Sequence, residues 1–358
     1  MTAHKTICFL TGTLNAFAGA ERMTTVIANG LAEQGHSVHV ISLWDTQSRF
    51  PLHSGVVHIA LHATRPSFKR EYISTVQKLR AYMKERRVDT LIEADTMLAW
   101  FTLPATIGLP VRRVAWEHCH YDEDLGKPMR RVARHVAACT HKAVVVLTER
   151  DRQRWLEATH PRAQVVVIPN ALAFPYPTQP APRQNTTVLA VGRLTHAKGF
   201  DVLLDAWATV LEQHPQWHLE IAGSGEESMA LAARVDVLGI GHAVTLREAQ
   251  TDVQSLYAKA SIFCLSSRYE GFGLVLIEAM SYGLPVASTF CETGPRELLR
   301  PGVDSLTFPP EDAPAMANAI CRLIADASLA NRLADGARET ARQYALEATL
   351  ARWHPLLF

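Results

Sequence analysis

Residues 266–297 read Ser266-Ser-Arg-Tyr-Glu-Gly-Phe-Gly-Leu-Val-Leu-Ile-Glu-Ala-Met-Ser-Tyr-Gly-Leu-Pro-Val-Ala-Ser-Thr-Phe-Cys-Glu-Thr-Gly-Pro-Arg-Glu297. A strand-like run ending at Ser266 breaks at a loop carrying Glu270, Gly271 and Gly273. A helix-like apolar run follows, with Glu278 two turns into it. Strand, glycine-bearing loop and helix in that order form the repeating unit of a parallel α/β sheet. The spacing places the carboxylates of Glu270 and Glu278 on one helical face, beside the freed N–H groups of a helix start. Carboxylates accept from sugar hydroxyls and such N–H groups attract phosphate, so the stretch suits a polyhydroxylated, phosphorylated ligand.

The same alternation runs outward in both directions. Apolar strand windows lie near 5–11, 37–43, 56–61, 89–93, 112–117, 143–147 and 165–168, then near 187–192, 217–222, 243–247, 261–266, 284–288 and 304–308. Amphipathic segments separate them, which predicts two doubly wound, Rossmann-like parallel sheets. At 358 residues the chain is long for one domain and comfortable as two. Between the halves, Asn170–Asn185 holds Pro175, Pro177, Pro180 and Pro182 and reads as a linker rather than a buried element. The expected division is 1–170, a linker 171–186, a second domain 187–342, and a closing helix or tail 343–358 that docks back toward the first. Two such sheets are expected to face one another across a cleft at the carboxyl ends of their strands, where open α/β sheets bind ligands.

Composition is that of a soluble globular chain, 48% apolar and 20% charged, without an apolar run of membrane-spanning length. Near the N-terminus, Thr6, Thr11, Gly12 and Thr13 interrupt the apolar run, which favours a first strand over a signal peptide. The six cysteines show no metal-type spacing and fit reduced thiols in a cytoplasmic protein. The net charge of +1 conceals an asymmetry: residues 1–175 carry 22 Lys+Arg against 15 Asp+Glu, and the remainder 14 against 20. Much of the excess lies in 65–87, where Tyr72, Val76, Leu79 and Met83 form a helical stripe among cations. Two readings remain open there: a surface helix with its apolar face on the core, or a face drawn to anionic lipid or a phosphorylated acceptor.

Each half begins with a strand, a glycine-bearing loop and a helix. In the first, Thr6–Thr11 runs into Gly12 and Gly19; these glycines are seven apart, so the dinucleotide fingerprint fails on spacing. In the second, a strand ends at Gly192 and Arg193 and Lys198 bracket a short loop before Gly199, where two cations can clamp a diphosphate. A pair of solvated surface cations is the plainer account of them.

Taken together, Gly192-Arg193-Leu194 with Lys198-Gly199, the Glu270-x7-Glu278 spacing, Thr293-Gly-Pro-Arg-Glu297 and Gly19-Ala-Glu-Arg22 resemble the family 4 retaining glycosyltransferases of the GT-B fold, over nearly the whole chain. The subgroup resembled is bacterial and builds lipopolysaccharide, capsule and exopolysaccharide. The resemblance implies that Arg193 and Lys198 hold the donor diphosphate and stabilise the leaving nucleotide. It puts Glu270 on the donor sugar hydroxyls, and Gly271, Phe272 and Gly273, with Gly192 and Leu274, around the sugar and phosphates. Glu278 takes the ribose, Gly19 lies near the phosphates, and His118 lies near the reacting sugar carbon. Phe290 stands where the subgroup often has Asp before Cys291, which leaves that loop its backbone N–H groups for phosphate.

The implied reaction moves a hexose-type sugar from a nucleotide sugar, a UDP-sugar being favoured and held by the second domain, to a lipid-linked or cell-surface glycan held by the first. The resemblance implies that it needs no metal or other cofactor. An inverting enzyme needs a base, for which Asp95, Glu117 and Asp122 are candidates. The implied location is the cytoplasm, at the inner face of the cytoplasmic membrane. The alternatives are a soluble glucan or disaccharide synthase on the same scaffold, a dinucleotide-dependent oxidoreductase, and a catalytically inert binding protein.

Overall fold

A computed structural model describes residues 4–124, 126–250 and 252–357. The chain divides into two compact units. One holds the residues through Ala173 together with those from Leu346 onward; the other is Phe174–Ala345.

The first unit runs β1 (Thr6–Thr11), α1 (Gly19–Glu33), β2 (Ser37–Trp44), β3 (Val56–His62), α2 (Phe68–Glu85), β4 (Thr90–Glu93), α3 (Ala99–Thr106), β5 (Arg112–Trp116), α4 (Met129–Thr140), β6 (Ala143–Val146), α5 (Glu149–Thr159) and β7 (Gln164–Val167). Its seven strands are ordered β3-β2-β1-β4-β5-β6-β7, and every pair is parallel. Strand order reverses beside β1, so the loops after β1 and β4 diverge there and leave room for a ligand. The central strands read as unbroken apolar runs because helices cover both faces. On α2, Leu79 and Met83 are buried in the core with Tyr72 and Val76 packed against it, so the apolar stripe faces inward.

The second unit runs β8 (Thr187–Val191), α6 (Phe200–Gln213), β9 (His218–Ala222), α7 (Ser228–Leu238), β10 (Val244–Arg247), α8 (Gln254–Lys259), β11 (Ile262–Leu265), α9 (Leu274–Ser281), β12 (Val286–Thr289), α10 (Pro295–Leu298), β13 (Ser305–Phe308), α11 (Ala313–Ala325) and α12 (Ala327–Arg342). Its six strands are ordered β10-β9-β8-β11-β12-β13, again all parallel. Trp207, Leu203 and Leu204 of α6 and Ile320 of α11 anchor its core.

The last helix, α13 (Leu346–Leu357), belongs to the first unit. Leu350 lies on the bare backbone at Gly30 of α1, where a Cβ would come within 2.7 Å of its Cδ1. Trp353 is fully buried against Trp116, and Thr90 Oγ1 donates to Leu357 O.

The proline-rich stretch forms neither helix nor strand and leaves Pro175, Pro180 and Pro182 exposed, yet it is tied down at several points. Phe174 and Ala181 are buried, Ala181 N donates to Tyr282 O at 2.7 Å, and Pro177 O accepts from Arg338 Nη2 at 2.8 Å. Tyr176 donates to Arg338 O and lies beneath the Arg338 and Arg342 guanidinium groups. Prolines remove N–H donors but leave carbonyls, so an extended proline segment can still be strapped to a surface that supplies arginines.

Candidate active site

Apart from Gly19, the expected donor-binding residues lie in the second unit, most of them in loops at the carboxyl ends of its strands. The β8–α6 loop carries Arg193, which is exposed, and a single 3-10 turn, His196–Lys198. Gly192, Gly223 and Gly225 let this loop run against the one after β9: a Cβ on Gly223 would lie 1.8 Å from Gly192 O, and one on Gly225 2.3 Å from Leu194 O. Gly199 is left-handed (φ 60°) and so close to Ser266 O that no side chain fits. Ser266 Oγ donates to Lys198 O at 2.7 Å, and Arg268 N donates to Ala197 O at 2.8 Å. The β8 and β11 loops are thus stitched by one side-chain and one backbone donor onto backbone carbonyls.

The result is a direct contact: Lys198 Nζ lies 2.5 Å from Glu270 Oε1, which also accepts from Ser267 Oγ at 2.7 Å. Thr293 Oγ1 donates to Glu270 O and ties in the loop after β12. Gly271 follows, then Phe272, buried with its ring edge-on to Tyr344. Gly273 has φ 93° and caps α9, whose first residue is Leu274.

That glycine corrects one expectation. Glu270 stands in the loop and not on α9, so Glu270 and Glu278 do not share a helical face. Glu278 is wholly buried in α9, and its Oε2 accepts from the Tyr257 hydroxyl at 2.9 Å. A left-handed residue within a run that reads as helical is what separates them.

Arg268 has no role in the reading of the sequence. Its guanidinium donates to both Asp201 oxygens at 2.9 and 2.7 Å, to Glu311 at 3.0 Å and to His196 O at 2.7 Å. The Arg268 fork holds the Asp201 carboxyl below the usual carboxylate range. It fixes the turn that ends in Lys198. Only the motif Ser-Ser-Arg-x-Glu-Gly-Phe could have drawn attention to it.

Gly19 and His118 belong to the first unit. Gly19 is the exposed first residue of α1. His118 follows β5, its ring centroid 4.3 Å from that of Trp116. Both ring nitrogens are buried without a hydrogen-bond partner among the described residues. Burial, only partly opposed by the Asp95 carboxylate, pushes the imidazole down to about 4, so it is neutral near pH 7.

The three candidate bases are all tied to arginines. Glu117 is buried and accepts from Arg130 at 3.1 Å, Arg134 at 3.2 Å and Thr96 at 2.6 Å. Asp95 takes Arg130 Nη2 at 2.7 Å, and Asp122 lies 3.4 Å from Arg150 and 3.3 Å from Arg154. Carboxylates so paired already spend oxygen lone pairs on guanidinium groups. Among the described residues, no group of three or more His, Cys, Asp or Glu could hold a metal ion, and all six cysteines are free.

Two family models divide the chain: Glycosyltransferase Family 4 matches residues 17–173, and Glycosyl transferases group 1 matches 185–326. An uncharacterized glycosyltransferase of Haemophilus influenzae is 30% identical over 353 residues, 99% of this chain and all of that protein. The chain is a family 4 glycosyltransferase of GT-B fold. This glycosyltransferase is also 26% identical, over 98% of both chains, to a Campylobacter jejuni α-1,4-N-acetyl-D-galactosaminyltransferase whose name gives a PP-undecaprenol-linked glycan as its acceptor. Its fold matches that of Anabaena Alr3699/HepE, solved in complex with UDP and glucose, with a TM-score of 0.80, 21% identity and coverage of 98% and 99% of the two chains.

Proposed function

We propose that this glycosyltransferase moves a hexose-type sugar from a nucleotide sugar, a UDP-sugar by preference, to a lipid-linked or cell-surface glycan, with retention at the anomeric carbon, in bacterial polysaccharide or lipopolysaccharide synthesis. The observation that carries the reading is the Lys198–Glu270 contact beside the N–H groups of Gly271–Leu274, with Arg193 exposed on the same loop as Lys198. A diphosphate arriving at Lys198 competes with Glu270 for its charge, and Glu270 is then available to sugar hydroxyls. Arg193 and Lys198 stabilise the leaving diphosphate, a role electrostatics can fill without a metal. Glu278 takes the ribose in exchange for its Tyr257 bond, while Gly192 lets backbone approach phosphate.

Retention suits the pairing of Asp95, Glu117 and Asp122 with arginines, which leaves the departing phosphate as the proton acceptor. In the first unit His118, neutral and with no hydrogen-bond partner for its ring among the described residues, is free to serve a substrate hydroxyl as a hydrogen-bonding group. The C. jejuni relative and the HepE complex support a lipid-diphosphate acceptor and a UDP donor respectively. No helix among the described residues is long and apolar enough to cross a membrane. The exposed Phe68, Lys69, Arg70 and Ile73 on α2 support peripheral contact with an anionic inner leaflet from the cytoplasm.

A thermal-shift panel of UDP, GDP, ADP and their sugars tests the donor, in buffer with and without EDTA. A rise confined to UDP species and indifferent to EDTA is expected. A response to none of them overturns the reading.

A further inference from the structure

The loops after β1 and β2 of the first unit are locked together at the carboxyl end of the sheet. Leu14 bridges to Ser48, Arg49 N donates to Leu14 O at 3.0 Å, and Asn15 Nδ2 donates to Asp45 Oδ2 at 2.7 Å. On this base four side chains form a ladder. Arg49 lies over the Phe17 ring at 5.1 Å, Phe17 meets Phe50 edge to face at 6.2 Å, and Arg22 lies over Phe50 at 5.8 Å. One loop further on, Arg65 lies over Trp44 at 5.4 Å.

A guanidinium stacked by its face keeps its in-plane N–H donors, and these fit a carboxylate or phosphate. Most other arginines at this end of the unit are ion-paired, as Arg130, Arg134, Arg150 and Arg154 show. Arg49 and Arg65 are exposed, and neither has a carboxylate within ion-pair distance among the described residues. Phe17 is itself 36% exposed, an apolar surface beside a cation held ready. Packing of the core requires none of this.

We propose that Phe17 and Arg49 form a subsite for an anionic sugar of the acceptor, with the apolar face of the pyranose against Phe17 and its carboxylate or phosphate on Arg49. This rests on the reading of the first unit as the acceptor-binding side. It adds to that reading a class of acceptor, one carrying a negative charge on or next to the sugar that is glycosylated.

Saturation-transfer and titration NMR with methyl α-D-glucuronoside, glucose 6-phosphate, methyl α-D-glucoside and inorganic phosphate test it on the full chain. The charged sugars are expected to bind at least ~10-fold more tightly than the neutral glucoside and than inorganic phosphate, with the preference fading in high salt. Tighter binding of the glucuronoside identifies an acidic sugar as the source of the charge, and tighter binding of glucose 6-phosphate a phosphorylated one. Arg49→Gln is expected to abolish the preference, Phe17→Ala to weaken all three sugars alike, and Arg332→Gln on α12 to change nothing. Equal affinity for charged and neutral sugars, or a preference surviving in Arg49→Gln, overturns the subsite. So does a loss of UDP-induced thermal shift in Arg49→Gln, which would assign the arginine to the donor. A wild-type chain that binds the charged sugars yet responds to no nucleotide or nucleotide sugar would sink the proposed reaction and leave the subsite standing.

Discussion

Lys198 Nζ and Glu270 Oε1 stand 2.5 Å apart, although 72 residues separate them in sequence. Neither residue's own element brings this about; the stitching of the β8 and β11 loops through Gly199, Ser266 and Arg268 does. A cation and a carboxylate assigned to different parts of one donor are thereby held as a unit, and substitution of either alters the charge the other presents.

Lys198→Ala is expected to reduce turnover by ~10²–10³-fold or more, since it removes one of two cations proposed to face the leaving diphosphate. The fold should persist, because Lys198 is partly exposed and Glu270 retains its Ser267 bond. Steady-state kinetics beside a melting curve checks both halves. Near-normal turnover in a folded variant removes Lys198 from the assigned role.

Arg268→Lys tests the support behind that pair. A lysine cannot reproduce the two-pronged contact with Asp201 while also reaching Glu311 and His196 O. A loss of ~1–3 kcal/mol of stability is expected, together with a fall in kcat from a loosened Lys198 turn. Denaturant titration and kinetics on the same preparation measure it. A stability loss with unchanged kcat would limit Arg268 to the fold.

The thirteen described strands fall where the apolar windows place them, and the inner ones, buried on both faces, write themselves as continuous apolar runs. What the sequence hides is set by contacts across distance or by single dihedral angles. The left-handed Gly273 detaches Glu270 from the helix that carries Glu278, and a glycine's φ cannot be read from its neighbours. Arg268 finds partners 67 and 43 residues away, and the Arg130–Glu117–Arg134 cluster is invisible until α4 packs beside β5. The anchorage of the proline stretch is hidden for a related reason: Tyr176 finds its partner Arg338 162 residues away.

His118 yields a pH prediction with a definite sign. Burial lowers its pKa from 6.5 to about 4, so the folded chain prefers the neutral ring while the unfolded chain protonates below 6.5. The stability this group contributes is therefore full above pH 6.5 and is lost as pH falls from 6.5 to 4. Asp151, raised by burial from 3.8 to about 7, acts in the opposite sense and loses its contribution as pH rises through that range. Unfolding free energy measured from pH 7 to pH 4.5 should fall more steeply in the wild type than in His118→Ala. Parallel curves would show that the ring is solvated and titrates normally.

Three rings connect α13 to His118: Trp353 to Trp116 at 4.9 Å and Trp116 to His118 at 4.3 Å. The indole N–H groups of both tryptophans, like the His118 ring nitrogens, have no partner among the described residues, so packing and not hydrogen bonding sets these rings. Trp353→Ala is expected to cost ~3–5 kcal/mol through the cavity it opens. Trp353→Phe keeps most of the volume and should cost less while letting Trp116 tilt. If Trp116 aligns His118, Trp353→Phe lowers kcat more than it raises donor KM and moves the His118 Cε1 proton resonance. A stable Trp353→Phe variant with unchanged kcat and an unmoved His118 signal would confine the ring chain to holding α13 in place.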